Sequence, residues 1–145
     1  EELKLLDTIL VDKTYTEGNF AYTLNNDETK CVSATKEINE LIEETAKEIG
    51  VDCIKGDVLT NDCFDPYIEH VDTVLNRLPK EANIQASEME AFALFYLAKM
   101  LNKKAACLLT VVNSLCDEEE LSVEQRQSSL NNMIKLALDT AEKLL

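Results

Sequence analysis

Apolar runs and amphipathic stretches alternate along the chain, and their lengths predict its elements. Residues 5–11 form an apolar run of strand length and predict a buried strand. A polar loop is expected at 12–19, a short strand or loop arm at 20–24, and a turn at Asn25-Asn26-Asp27-Glu28. Ser33 reads as an N-cap. Ala34, Ile38, Leu41, Ile42, Thr45, Ala46 and Ile49 follow at helical spacing, and Gly50 stands where a helix C′ residue belongs. Residues 51–59 predict the next strand, 60–67 a loop stopped by Pro66, and 68–78 a short helix ending before Pro79.

The second half repeats the alternation. Residues 83–87 predict a short strand that leads into a helix over 91–101, apolar nearly all round except at Lys99 and so expected to be buried on more than one face. Residues 105–112 form a continuous apolar run, the signature of a strand covered on both faces. An exposed acidic loop is expected at 117–120. Ser122 opens the last helix with Gln125 three residues on, a capping box, and Leu130, Met133, Ile134, Ala137, Leu138 and Ala141 form its apolar stripe. Strand, helix, strand, short strand, helix, strand, helix is the order of an α/β domain, a mixed central sheet with helices on both faces. No linker or repeat divides residues 1–145, so one domain is expected.

Composition narrows the function classes. The chain of 145 residues is 46% hydrophobic, enough for one compact core. Lys+Arg 14 against Asp+Glu 28 leave a net charge of −14, which repels phosphate backbones and anionic lipid heads. Nucleic acid and membrane are therefore not expected as partners. No apolar run is long enough to span a bilayer and no leader pattern opens the chain, so a cytoplasmic location is expected. Five scattered cysteines without a C-x-x-C pair suit neither a disulfide framework nor a zinc site, and the single His70 cannot build a His-rich metal centre.

Candidate chemistry lies where strands end, because ligands of open α/β sheets bind beyond the carboxyl ends of the strands. Three segments are expected there: the loop after Leu59, the turn Ser87-Glu88-Met89-Glu90, and the residues after Val112. Glu88 and Glu90 point the same way on an extended backbone and diverge at a helix start, where acidic residues also complement the helix dipole. Asn113 is either a loop cap or a site residue, and Arg126 either a surface partner of the acidic loop or a site cation. Phe64, an aromatic in a polar loop, is suited either to stack on a flat ligand or to plug the core beneath that loop.

Taken together, T-N-D-C-F, S-E-M-E-A with its apolar helix, L-L-T-V-V-N-S and E-Q-R-Q-S-S-L-N-N-M-I-K-L-A-L resemble the C-terminal part of the bacterial-type, hexameric purine nucleoside phosphorylases of the nucleoside phosphorylase I superfamily. The resemblance implies that Glu90 grips the ribose 2′- and 3′-hydroxyls, with Met89 against the sugar and Glu88 as the neighbouring acid. It implies that Phe64 packs on the purine. Asn113 falls where the family carries an Asp that protonates N7 of the base, and Arg126 matches the Arg that assists it. It also implies phosphate as co-substrate, no organic cofactor or metal, and a homo-oligomer of dimers within a hexamer. The roles fit the chemistry: glycosidic cleavage develops positive charge on the sugar, which a carboxylate favours, and electron density on the departing base, which a donor at N7 stabilises.

This sequence departs from the family pattern at Asn113, and its glycines, at positions 18, 50 and 56, form no phosphate loop. The resemblance therefore implies the later part of a subunit, with the phosphate cradle in a preceding part. The alternatives are a related nucleosidase or uridine phosphorylase, or a non-catalytic scaffold that keeps the fold. The loop T-N-D-C-F-D lacks the Gln and Arg that pyrimidine-specific members use, which argues against uridine.

Overall fold

The computed structural model describes residues 3–114, 120–128 and 130–145. Its elements are β1 (Thr8–Thr16), α1 (Phe20–Asn25), β2 (Cys31–Ser33), α2 (Lys36–Ile49), β3 (Cys53–Thr60), α3 (Val71–Leu75), β4 (Ile84–Glu88), α4 (Ala91–Met100), β5 (Leu108–Thr110), α5 (Val123–Ser128) and α6 (Asn131–Glu142). A single 3-10 turn, Asp65–Tyr67, lies between β3 and α3. Among the described residues the strands make one mixed sheet in the order β2-β1-β3-β4, with β5 also on β1.

β1 organises the sheet. It pairs in parallel with β3 from Thr8↔Cys53 to Thr16↔Thr60, with a shift of register between Val11 and Thr14. Its other edge is shared: β5 takes Thr8 to Leu10 and β2 takes Lys13 to Tyr15, both antiparallel. β4 then lies parallel to β3, with Thr60 opposite Glu88. The carboxyl ends of β1, β3 and β4 thus fall in one row, Thr16, Thr60 and Glu88.

Helices cover both faces, as the alternation predicts. Val11 and Val58 pack with Ala21 of α1 and with Ala91, Phe92, Phe95 and Tyr96 of α4 on one side. Leu10 packs with Ile42 and Ala46 of α2 and Leu136 of α6 on the other. Removing an apolar side chain such as Phe92 from water contributes roughly 1.5–3 kcal/mol.

Several expectations are corrected. β1 runs on to Thr16 where a polar loop from Asp12 is expected, because the buried hydroxyls of Thr14 and Thr16 find hydrogen-bond partners on Thr60. Residues 20–24 are helical rather than extended, as α1. Ser33 belongs to β2, and the N-cap position of α2 is held by Thr35. The last helix is two helices, α5 and α6, although the capping box stands: Ser122 N donates to Gln125 Oε1 at 2.9 Å and Gln125 N to Ser122 Oγ at 3.2 Å. α4 is buried on one face only, since Leu94, Leu97, Met100 and Leu101 are exposed. β5 is short and half-buried rather than covered on both faces. The acidic loop expected at 117–120 lies outside the described residues except for Glu120, which is exposed.

Candidate active site

The row Thr16, Thr60, Glu88 is the floor of the candidate site. Beyond it stand the loops that follow β1, β3 and β4. Gly18 touches the β3 loop so closely that a Cβ there would fall 2.5 Å from Asp62 Oδ2. Glu17 holds Arg77 through a two-pronged ion pair, with Nε to Oε1 and Nη2 to Oε2 both at 2.5 Å. That pairing holds the Glu17 carboxyl below its ordinary value. A shallow cavity of about 440 Å³ opens here, lined by Asn19, Phe20, Thr23, Leu24 and Asp62.

The loop after β3 is pinned to the end of β4. Asn61 N donates to Glu88 O at 2.9 Å. The Asn61 side-chain amide donates to Asp65 Oδ1 at 2.7 Å and to Ser87 Oγ at 3.0 Å, and Ser87 Oγ donates to the same Asp65 oxygen at 3.0 Å. This triangle fixes both ends of the segment that carries Phe64. The Phe64 ring is 53% exposed and meets Tyr67 edge-on at 5.6 Å. It is a surface aromatic, free to stack, and not a plug in the core.

At the end of β4 the two acids of S-E-M-E part company. Glu88 turns inward: Oε1 accepts the Thr60 hydroxyl, while Oε2 accepts the backbone N–H of Glu90 at 2.7 Å and of Ala91 at 2.6 Å. Its carboxylate thereby satisfies donors that the start of α4 leaves open. Glu90, at the N-cap position of α4, is exposed, and no hydrogen bond to its carboxylate is found among the described residues. Met89 between them is 44% exposed. Cys107 lies beneath: burial pushes its thiol up to about 11, and the charges of Glu88 and Glu90 push the same way.

Asn113 and Arg126 do not join this group. β5 runs antiparallel to β1, so Thr110, its last residue, stands opposite Thr8, the first residue of β1. Asn113 therefore follows the strand out at the amino ends of β1 and β3, where Thr8 lies about 25 Å from Thr16 by the rise of β1. The expectation that the residues after Val112 reach the carboxyl ends of the parallel strands is corrected by this pairing. Asn113 makes an isolated bridge with Glu120. Glu120 Oε1 accepts the Arg126 guanidinium, whose Nε donates to Leu121 O at 3.1 Å. The two residues are thus neighbours of one another through Glu120, at the opposite end of the sheet from Glu90.

The structure also shows what sequence reasoning missed. Thr14 and Thr60 are buried at the site floor, and only an isolated polar residue closing an apolar strand marks Thr60 in the sequence. Among the described residues no group of three or more His, Cys, Asp or Glu is arranged to hold a metal ion, and no helix is long and apolar enough to cross a membrane.

Over residues 1–145 the chain matches the family model described as the phosphorylase superfamily. The chain belongs to the phosphorylase superfamily. It is 40% identical over 146 residues to a DeoD-type purine nucleoside phosphorylase of Mycoplasma genitalium, a match spanning 99% of this chain and 60% of that protein. It is 33% identical to the DeoD-type enzyme of Mycoplasma pneumoniae, with 99% of this chain and 59% of that one covered. The chain thus spans about 60% of the length of these superfamily relatives. Its fold is like that of the purine nucleoside phosphorylase of Toxoplasma gondii, solved in complex with immucillin-H. There the TM-score is 0.77 at 19% identity, over 98% of this chain and 57% of that one.

Proposed function

We propose that this chain forms the nucleoside-holding part of a purine nucleoside phosphorylase, which cleaves the N-glycosidic bond of purine (deoxy)ribonucleosides with phosphate to give base and pentose 1-phosphate. The observation that carries this reading is the divided S-E-M-E turn. One acid is consumed in fixing the turn, and the other, Glu90, is held exposed with no protein partner for its carboxylate found among the described residues. A carboxylate presented in this way suits a diol, since each oxygen accepts one hydroxyl, and it favours the positive charge that develops on the sugar. Met89 lies against the sugar and Phe64 covers the base. DeoD-type relatives at 40% and 33% identity support the substrate class.

The roles that the resemblance gives Asn113 and Arg126, donor to N7 and its helper, require both at the same end of the sheet as Glu90. With β5 antiparallel they stand at the other end, so the reading rests on Phe64, Glu88, Met89 and Glu90. Phosphate enters as co-substrate and no organic cofactor is required. A homo-oligomer of dimers within a hexamer, working in the cytoplasm, completes the reading. The exposed apolar face of α4, with Leu94, Leu97, Met100 and Leu101, supports the association.

The test is base release from inosine by the full-length protein, followed with and without phosphate. Release that needs phosphate supports phosphorolysis. Equal release without phosphate identifies a nucleosidase, and no release from any purine nucleoside points to a scaffold.

A further inference from the structure

The Thr60 hydroxyl is buried at the meeting point of three elements. It lies 2.6 Å from Thr14 Oγ1 on β1, donates to Glu88 Oε1 at the end of β4, and accepts the backbone N–H of Phe92 in α4 at 3.1 Å. An ionised carboxylate has no proton to give, so the Thr60 proton goes to Glu88. The Thr14 hydroxyl must then be the donor to Thr60. The order is fixed: Thr14 to Thr60 to Glu88, and from Glu88 to the N–H groups of Glu90 and Ala91.

We propose that Thr60 is a positioning residue of the site, acting through Glu88 to set the direction of the Glu90 carboxylate toward the sugar diol. This rests on the nucleoside reading above and adds to it a residue that carries no substrate contact. Glu88 is the hinge of the device. One oxygen faces the buried hydroxyls and the other holds the turn that carries Glu90, so the turn is clamped to the sheet rather than left to the fraying end of a helix. Valine at position 60 keeps the shape and removes the clamp. It leaves the Thr14 hydroxyl, the Phe92 N–H and one Glu88 oxygen without their shared partner.

The experiment compares inosine with 2′,3′-dideoxyinosine in the full-length protein, measuring kcat and KM for each. Glu90 has nothing to grip on the dideoxy sugar, so a positioning defect shows on inosine alone. Thr60→Val is expected to lower kcat/KM for inosine roughly 30-fold and for the dideoxy substrate less than about threefold, while Thr60→Ser stays within about threefold on both. Amide exchange at Glu90, Ala91 and Phe92 is expected to speed up in Thr60→Val. Thr14→Val, one bond further back, is expected to show the same pattern at smaller size and serves if Thr60→Val does not fold. Equal losses on both substrates, or no rescue by serine, overturn the proposal. If the unmodified protein cleaves no purine nucleoside, the functional reading fails and the sugar-directed role fails with it. Amide exchange then judges the clamp separately, since unchanged protection at Glu90–Phe92 refutes the Thr60–Glu88 hold as well.

Discussion

The two ends of the sheet are built in different ways. At the carboxyl ends of β1, β3 and β4, Thr14, Thr60, Glu88 and the first N–H groups of α4 form a largely buried, hydrogen-bonded cluster drawn from residues 14 to 92. At the other end, Asn113, Glu120 and Arg126 meet through one isolated bridge and an ion pair with Arg126 about 40% and Glu120 about 67% exposed. The first end is fixed by groups that lose water on folding and must find partners, so a displaced atom there is costly. The second is held by contacts that water can replace. A group that must be aimed is best carried by the first kind of place, and the turn bearing Glu90, the proposed sugar-binding carboxylate, is held by this cluster through its backbone.

Apart from loss of Glu90 itself, the largest effect is expected from Glu88→Ala. It removes the acceptor for the Glu90 and Ala91 N–H groups and the terminus of the threonine relay. Inosine kcat/KM should fall about a hundredfold, on the order of 2.7 kcal/mol. Thermal unfolding should show a loss of about 1 kcal/mol from the uncapped helix. A variant with full activity would show that the clamped end is not where turnover is decided.

Alkaline titration should act next, and on the sheet rather than on the ion pair. Burial pushes Tyr15 from 10.0 up to about 12, and Cys53 and Cys107 from 9.0 up to about 11. Each folded value is above its unfolded one, so the native state binds more protons within the window between them. Stability is therefore fully present below about pH 9 and falls as pH climbs toward 11 to 12. Urea midpoints measured across this range should drop; midpoints that hold steady up to pH 11 would contradict burial of these groups.

At the loosely held end the effects shrink. Glu120→Ala breaks the pair with Arg126 and should change stability by no more than about 1 kcal/mol, with less effect in high salt. Asn113→Asp separates the two ends of the sheet most clearly. With Asn113 at the far end, the ratio of adenosine to inosine turnover should not move. The family resemblance implies the opposite, a gain in adenosine cleavage from a restored N7 acid. Such a gain would place Asn113 beside the base and require β5 to end on the same side as Glu88.

Much of this fold was legible in the sequence because burial imposes period. The helical spacing of residues 34–49 becomes α2 from Lys36 on, and residues 8–11 of the apolar run at 5–11 open the strand that anchors the sheet. The S-E-M-E and T-N-D-C-F segments were legible as strand-end segments, and the structure brings both to the carboxyl ends of β3 and β4, where Asn61 joins them. Strand direction was not legible. An apolar run such as 105–112 reads the same whether its strand is parallel or antiparallel, and that choice decides which end Asn113 reaches. The threonine relay was hidden as well. A buried Thr is distinguished from an exposed one only by partners far away in sequence, 46 residues apart for Thr14 and Thr60.

In the proposed function Glu90 is the sugar-gripping carboxylate of a purine nucleoside phosphorylase. The direct measurement is steady-state inosine phosphorolysis by the full-length protein and its Glu90→Ala variant, with thermal unfolding of both as the control. The expected result is a loss of roughly 2–4 kcal/mol of transition-state stabilisation, a fall of about 30- to 1,000-fold in kcat/KM, with the unfolding temperature little changed. A Glu90→Ala protein that folds and turns over inosine like its parent would contradict it.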